Sequence, residues 1–382
     1  MANRFWVGGT GTWDASSTAN WSATTGGASG ASAPTSADAV FFDANSGSGT
    51  CTTASGSVCA AATLNSATLN LVLGANHTCS GLFTLTLGAL DLGNNIFTST
   101  GLSSLVANVR SIAFGTGKIQ LTGSGFTIVG VTTSTNLTIT GSKLIEATYA
   151  GAVGTRVFSM ASATTGTEAN VFNLLISAGS DAVTITNNRI LGSLDTTGFA
   201  GTLSANSCSY FGNFLISSTV TIGTTTQVSL IATSGTKTIT TSGKTFDFAL
   251  IFNGAGGTFA FQDALTQGST RAFTITNGTV QLKAGVTSTV GSFVANNASV
   301  KFLQSTTLGS QATLSQASGT VNVADLTIRD INAVGGAAWN AYTDFENTDA
   351  GNNDGWDFSL SPPYTTAELP ITLRPFTQPR RF

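Results

Sequence analysis

A short alternating segment closed by glycine or asparagine recurs from about residue 60 onward. It constrains the fold more than any other feature of the chain. Examples are LNLVLG (69–74), FTLTLG (83–88), ALDLG (89–93), KIQLTG (118–123), NLTITG (136–141), AVTITNN (182–188), STVTIG (218–223), KTITTSG (237–243), AFTITNG (272–278) and TVQLKAG (279–285). Apolar residues at every second position predict strands that present one face to a core. The closing Gly or Asn supplies the positive backbone φ that tight turns require. Val, Ile, Thr and Phe suit a pleated, half-buried surface, whereas Glu, Lys and Arg, the common helix formers, are scarce. The chain therefore reads as all-β.

Two architectures accommodate so many short strands. Tandem β-sandwiches, the alternative, need units of roughly 100 residues joined by linkers, and no Pro-rich or charged linker interrupts residues 60 to 325. A solenoid has no such size limit, because each coil packs only on its neighbours. Only 9% of the 382 residues are charged, against about 25% in ordinary soluble domains. That scarcity fits coils stacked about 4.8 Å apart, where equivalent outward charges repel but Thr, Ser and Asn can form ladders. The expectation is an elongated right-handed parallel β-helix with coils of unequal length and capped ends.

Composition also excludes functions. Fifteen Lys and Arg against eighteen Asp and Glu leave a net charge of −3, with no basic stripe to meet phosphates, so no nucleic-acid partner is expected. The longest apolar runs, such as Phe248 to Phe252, are far too short to span a bilayer, so no membrane insertion is expected. The opening MANRFWVGGTG has no apolar signal-peptide core, which predicts synthesis in the cytoplasm without an N-terminal export signal. The four cysteines, Cys51, Cys59, Cys79 and Cys208, form no CxxC and no zinc spacing with a histidine. They read as small buried side chains; Cys51 and Cys59 could meet across a loop.

Three of the chain's five tryptophans, Trp6, Trp13 and Trp21, crowd its start, in a stretch otherwise made largely of Gly, Ser and Thr. A solenoid exposes unpaired strand edges and a cut core at its ends, so such rings suit a terminal cap. A carbohydrate-stacking platform is the rival reading. WVGGTGTWDASSTANWSA followed by PTSADAVFFDANSG resembles the repeat found in autotransporter passenger domains. It is closer still to virion-associated β-helix proteins of tailed bacteriophages, marine ones above all. TVNVADLTIRDINAVGGAAWNAYTDFENTDAGNNDGWDF (320–358) resembles the module that closes such β-helices, through Asp330, Gly335, Gly336, Trp339, Gly351, Asn352, Asn353, Gly355, Trp356 and Phe358. These motifs cover the two ends, about a quarter of the chain. The resemblance implies a β-helix with a virion or surface-adhesive role and implies no enzyme.

Four regions follow: a Trp/Gly-rich cap or attachment region (1–60), a solenoid body (61–319), a C-terminal capping module (320–360) and an extended arm (361–382). The arm holds five of the six prolines and three of the nine arginines. Capping or attachment is assigned to Trp6, Trp13, Trp21, Phe41, Phe42, Trp339 and Trp356. Partner docking by the arm is assigned to Arg374, Phe376, Arg380, Arg381 and Phe382.

Sites for chemistry are weaker. Asp344, Glu346, Asp349, Asp354 and Asp357 crowd one short stretch, but an EF-hand pattern fitted on Gly355 puts Ala350 at its first ligand position, so no metal site is expected. Asp181, Asp195, Glu168, Asp247 and Asp263 share no spacing that pairs two carboxylates on one face, as a glycosidase needs. His77, the only histidine, sits in GANHTCSG, read as a loop. No catalytic residue and no cofactor is assigned. Thr-x-Thr triplets at 138–140, 184–186, 238–240 and 274–276 keep no fixed period. The resulting expectation is a non-enzymatic structural protein of a phage particle: a homotrimeric fibre, spike or capsid-decorating subunit on the outside of the virion. Its partners would be its own copies, other virion proteins and host-surface glycan. A polysaccharide-depolymerising tailspike and a bacterial surface adhesin or filament subunit are the alternatives.

Overall fold

The computed structural model describes residues 2–125, 127–162, 164 and 166–361. Among them the only helical element is a single 3-10 turn, Thr343–Phe345; all other regular structure is strand. The strands stack in parallel as a β-solenoid of about 14 turns.

In-register rungs run the length of the stack. On one face Val40 pairs with Ala62, then Phe83, Leu102, Val129, Phe158, Ile185 and Ala205. A second rung runs Cys51, Leu71, Leu90, Ile112 and Ile139. A third begins at His77 and continues through Phe97, Ile119, Ile145, Leu174, Leu194, Phe214, Ile239 and Phe261. All these residues are buried, and all but His77 belong to one hydrophobic core cluster running from Trp6 to Ala341. The stack passes residue 60 without a break, since Ala39–Phe42 pairs with Ala61–Leu73. It passes residue 319 likewise, where Ala312–Gln316 pairs with Ile331–Gly335.

Polar residues also ladder on the outside. Thr236, Thr258 and Thr279 share one rung. The Asn277 amide donates to Asn253 Oδ1 at 2.8 Å and Asn340 to Asn322 at 2.8 Å, each from one coil to the next. Such ladders satisfy polar groups without placing like charges opposite one another.

The expected glycine turns are in several places bends within one strand. FTLTLG and ALDLG fuse into Leu82–Asp91, and AFTITNG and TVQLKAG fuse into Ala272–Leu282. At these corners the register shifts while the hydrogen bonding resumes on the next face. Gly278 sits at such a bend with φ of 87°, and a Cβ there would collide with the Gly254 carbonyl oxygen. The corner therefore needs glycine for conformation and for closeness of approach.

Inward and outward neighbours on one strand should differ sharply. Phe97→Ala removes a fully buried ring and should cost about 3–5 kcal/mol. Thr98→Ala, one residue along and facing outward, should stay within about 0.5 kcal/mol. Urea denaturation of the two variants measures both.

Candidate functional site

The N-terminal end is built on aromatic packing. Asn3–Trp6 lies parallel to Ala39–Phe42, and its other edge is covered by the two-residue antiparallel strand Trp21–Ser22, with Trp6 opposite Trp21. A short antiparallel edge offers little template for another strand. Trp6, Trp13, Trp21 and Phe42 are wholly buried. Trp21 stands edge-on to Trp6 at 5.1 Å and to Trp13 at 5.2 Å, the arrangement aromatic quadrupoles favour. Trp6 Nε1 donates to the Gly9 carbonyl at 3.0 Å, while Trp13 Nε1 has no partner. Phe41 faces outward and stacks on Phe5 at 5.0 Å. The three indoles thus fill the core of the first coil and offer no open face to a sugar ring. The buried Asp38 fastens the chain start, accepting from the Thr35 hydroxyl and the backbone N–H groups of Thr35 and Ala2. The Thr35 hydroxyl is the main cause holding its carboxyl below the usual range.

The C-terminal end repeats the scheme. Trp356–Asp357 pairs with Ala338–Asn340, setting Trp339 against Trp356 at 5.0 Å, edge to face, with Phe293 beneath, 6.0 and 6.2 Å from the two indoles. Trp339 is buried and Trp356 half-buried. The GNN stretch staples coils together: Asn353 donates to the Ile328 carbonyl and accepts from the Ile331 N–H, and Asn352 donates to the buried Asp330. The acidic residues around it are engaged locally. Asp349 accepts from Gly351 and Asn353, Asp354 from Gln311, Asp357 from Ser359 and Asp344 from Ser361. The arm residues Arg374, Phe376, Arg380, Arg381 and Phe382 lie outside the described residues.

The carboxylates of the body are likewise in structural contacts. Asp181 and Arg156 form a two-pronged ion pair at 2.8 and 2.9 Å whose side chains are both fully buried. Tyr149 and Phe199 approach the same guanidinium at 5.6 and 5.5 Å. Asp263 caps the turn at Thr241 and Ser242, and Asp195 accepts from Thr197. Asp247 pairs with Arg271 at the surface. Glu168 lies by a cleft of about 270 Å³. Its carboxylate stands 3.7 Å from Lys237, and its carbonyl accepts from Lys143.

The one feature with chemistry-bearing residues converging in the core was hidden in the sequence. His77 is not on a loop. It lies on the strand His77–Cys79, which presents His77 and Cys79 inward. Val58–Cys59 pairs alongside, setting Cys59 opposite Cys79 with Cα atoms 4.8 Å apart and the sulfurs joined as a disulfide. The partner of Cys59 is thus Cys79 and not Cys51, which is free and buried, as is Cys208. Burial pushes the Cys51 thiol up and that of Cys208 to about 11. The imidazole is 1% exposed, packed between Trp13 at 4.5 Å and Phe97 at 5.6 Å. Desolvation lowers its pKa to about 4, so the ring is neutral at pH 7. Among the described residues, Cys59, His77 and Cys79 are the only group of three or more His, Cys, Asp or Glu placed to hold a metal ion. The sequence signal was the separation of the two cysteines, which matches one coil in this part of the stack, with His-x-Cys on a single strand.

No family model, curated protein or solved structure matches the chain. Among the described residues no helix is long and apolar enough to cross a membrane.

The Asp181–Arg156 and Asp247–Arg271 pairs should respond differently to truncation. Asp181→Ala leaves Arg156 charged and unpaired in the core and should cost about 3–5 kcal/mol. Asp247→Ala breaks an exposed pair worth less than about 1 kcal/mol. Thermal unfolding of both variants checks the contrast.

Proposed function

We propose that the chain is a structural, non-enzymatic subunit of a bacteriophage particle: a fibre, spike or capsid-decorating protein acting in assembly or host adhesion. One observation carries the reading. A single core runs without interruption from Trp6 to Ala341, closed at both ends by packed tryptophans. Each coil packs only on its neighbours, so such a body resists bending and offers protease few open segments. The outward Thr, Ser and Asn ladders let copies lie side by side with little electrostatic repulsion. The end motifs that resemble phage β-helix proteins support the setting, the outer surface of a virion. Copies of the chain, as a homotrimer, other virion proteins and host glycan are the partners in this reading.

The mass and shape of the purified chain test it. Multi-angle light scattering with negative-stain microscopy should give a trimeric rod, and a variant ending at Ser361 should lose trimer or capsid binding. A compact monomer unchanged by that truncation would contradict the proposal and redirect attention to polysaccharide cleavage.

A further inference from the structure

The hydrogen bonds around His77 determine where its proton sits. Ser57 Oγ donates its only proton to the Ala54 carbonyl at 2.8 Å, so at 3.0 Å from His77 Nδ1 it can only accept. Nδ1 therefore carries the ring hydrogen, and Nε2 keeps a bare lone pair. That lone pair faces two sulfurs, Cys59 Sγ at 3.8 Å and Cys79 Sγ at 3.9 Å. A disulfide has no proton to give it, and the ring is closed to solvent. An acceptor left without a donor in such a place costs about 1–3 kcal/mol.

We propose that the reduced chain binds one zinc ion through Cys59 Sγ, Cys79 Sγ and His77 Nε2. The two S···N separations, 3.8 and 3.9 Å, are close to those of a metal site, and the sulfurs need only part once the disulfide is reduced. Zn–S bonds of about 2.3 Å and Zn–N of about 2.0 Å at the tetrahedral angle give S···N edges of roughly 3.5 Å and S···S edges of roughly 3.8 Å. Parallel neighbours 4.8 Å apart at Cα let two sulfurs share an ion as readily as a bond. Charge selects the ion. Two thiolates and a neutral imidazole around Zn²⁺ sum to zero, whereas Cu⁺ would leave a net negative charge between Trp13 and Phe97, which burial penalises. Ser57 fixes the imidazole tautomer from behind, as partners of ligating histidines do. Three protein ligands leave the fourth position to an exogenous donor such as water. Opening the site consumes two electrons and two protons: a phosphine reductant and water convert the disulfide to two thiols and the phosphine to its oxide. Each thiol then loses its proton as the zinc binds.

The test uses the full chain, reduced with a water-soluble phosphine, loaded with Zn²⁺ and desalted before metal analysis. About one zinc per chain is expected. Co²⁺ in its place should give thiolate-to-cobalt charge-transfer bands and tetrahedral d–d bands. His77→Phe should lose both signals yet fold, because Phe97 fills the next rung of the same ladder. Cys79→Ser should lose them too, and Cys51→Ser should keep them. Ser57→Ala should weaken zinc binding about 10–100-fold. The proposal is overturned if the reduced wild-type chain retains less than about a tenth of a zinc, or if His77→Phe retains as much as wild type. It is also overturned if Cu⁺ is held and Zn²⁺ is not, or if alkylation shows the disulfide intact in the folded chain after reduction.

Discussion

The structure depends on one constraint: each inward side chain must pack on its counterpart a coil away, at the spacing of parallel strands, about 4.8 Å. Hydrogen bonds between coils set that spacing, and rungs such as Phe97, Ile119, Ile145 and Leu174 fill it. A one-residue slip would turn every apolar side chain of a strand outward, so the ladders fix register throughout. Coil length can then vary, since extra residues bulge from corners without disturbing the rungs. The step from His77 to Phe97 is much shorter along the chain than that from Ile145 to Leu174, yet each advances the stack by one rung.

The ends follow from the same constraint. A ladder has a first and a last rung, and each would leave apolar surface bare. Trp6, Trp13 and Trp21 pack edge to face in the first coil, and Trp339 and Trp356 do so in the last. The buried charges of the stack are compensated, whereas Trp13 Nε1, Thr53 Oγ1 and the Tyr210 hydroxyl have no partner. Arg156 meets Asp181, and Arg110 donates to the carbonyls of Asn108, Thr133 and Thr135. His77 differs from these in that its second nitrogen has two sulfurs for neighbours and no proton donor, which makes it a chemically informative position of the core.

Much of this was legible in the sequence, because period-two alternation is local. The all-β class, the solenoid and the inward placement of residues such as Ile119 and Ile139 follow from it. The corner strands were misread: Gly88 and Gly278 look like turns between strands, yet they are bends within one, a distinction that only the neighbouring coil determines. The cysteine pairing was missed for a related reason. Cys59 meets Cys79 through the length of one coil, a tertiary quantity that varies along the chain, so neither the pairing nor the place of His77 beside it follows from short spacing motifs. Arg156 and Asp181, which also meet across a coil, are in the same position.

The most direct test of the ladder account is a series of spin-label distances along one outward rung: Thr98, Gln120, Glu146, Leu175, Asp195, Leu215 and Thr240. Labels at Thr98 and Asp195 are four coils apart and should lie about 19 Å from one another, and labels at Thr98 and Thr240, six coils apart, about 29 Å. The distances should rise in equal steps with coil number, whatever the number of residues between. Distances that do not scale with coil number, as in antiparallel sandwiches, would contradict the ladder account.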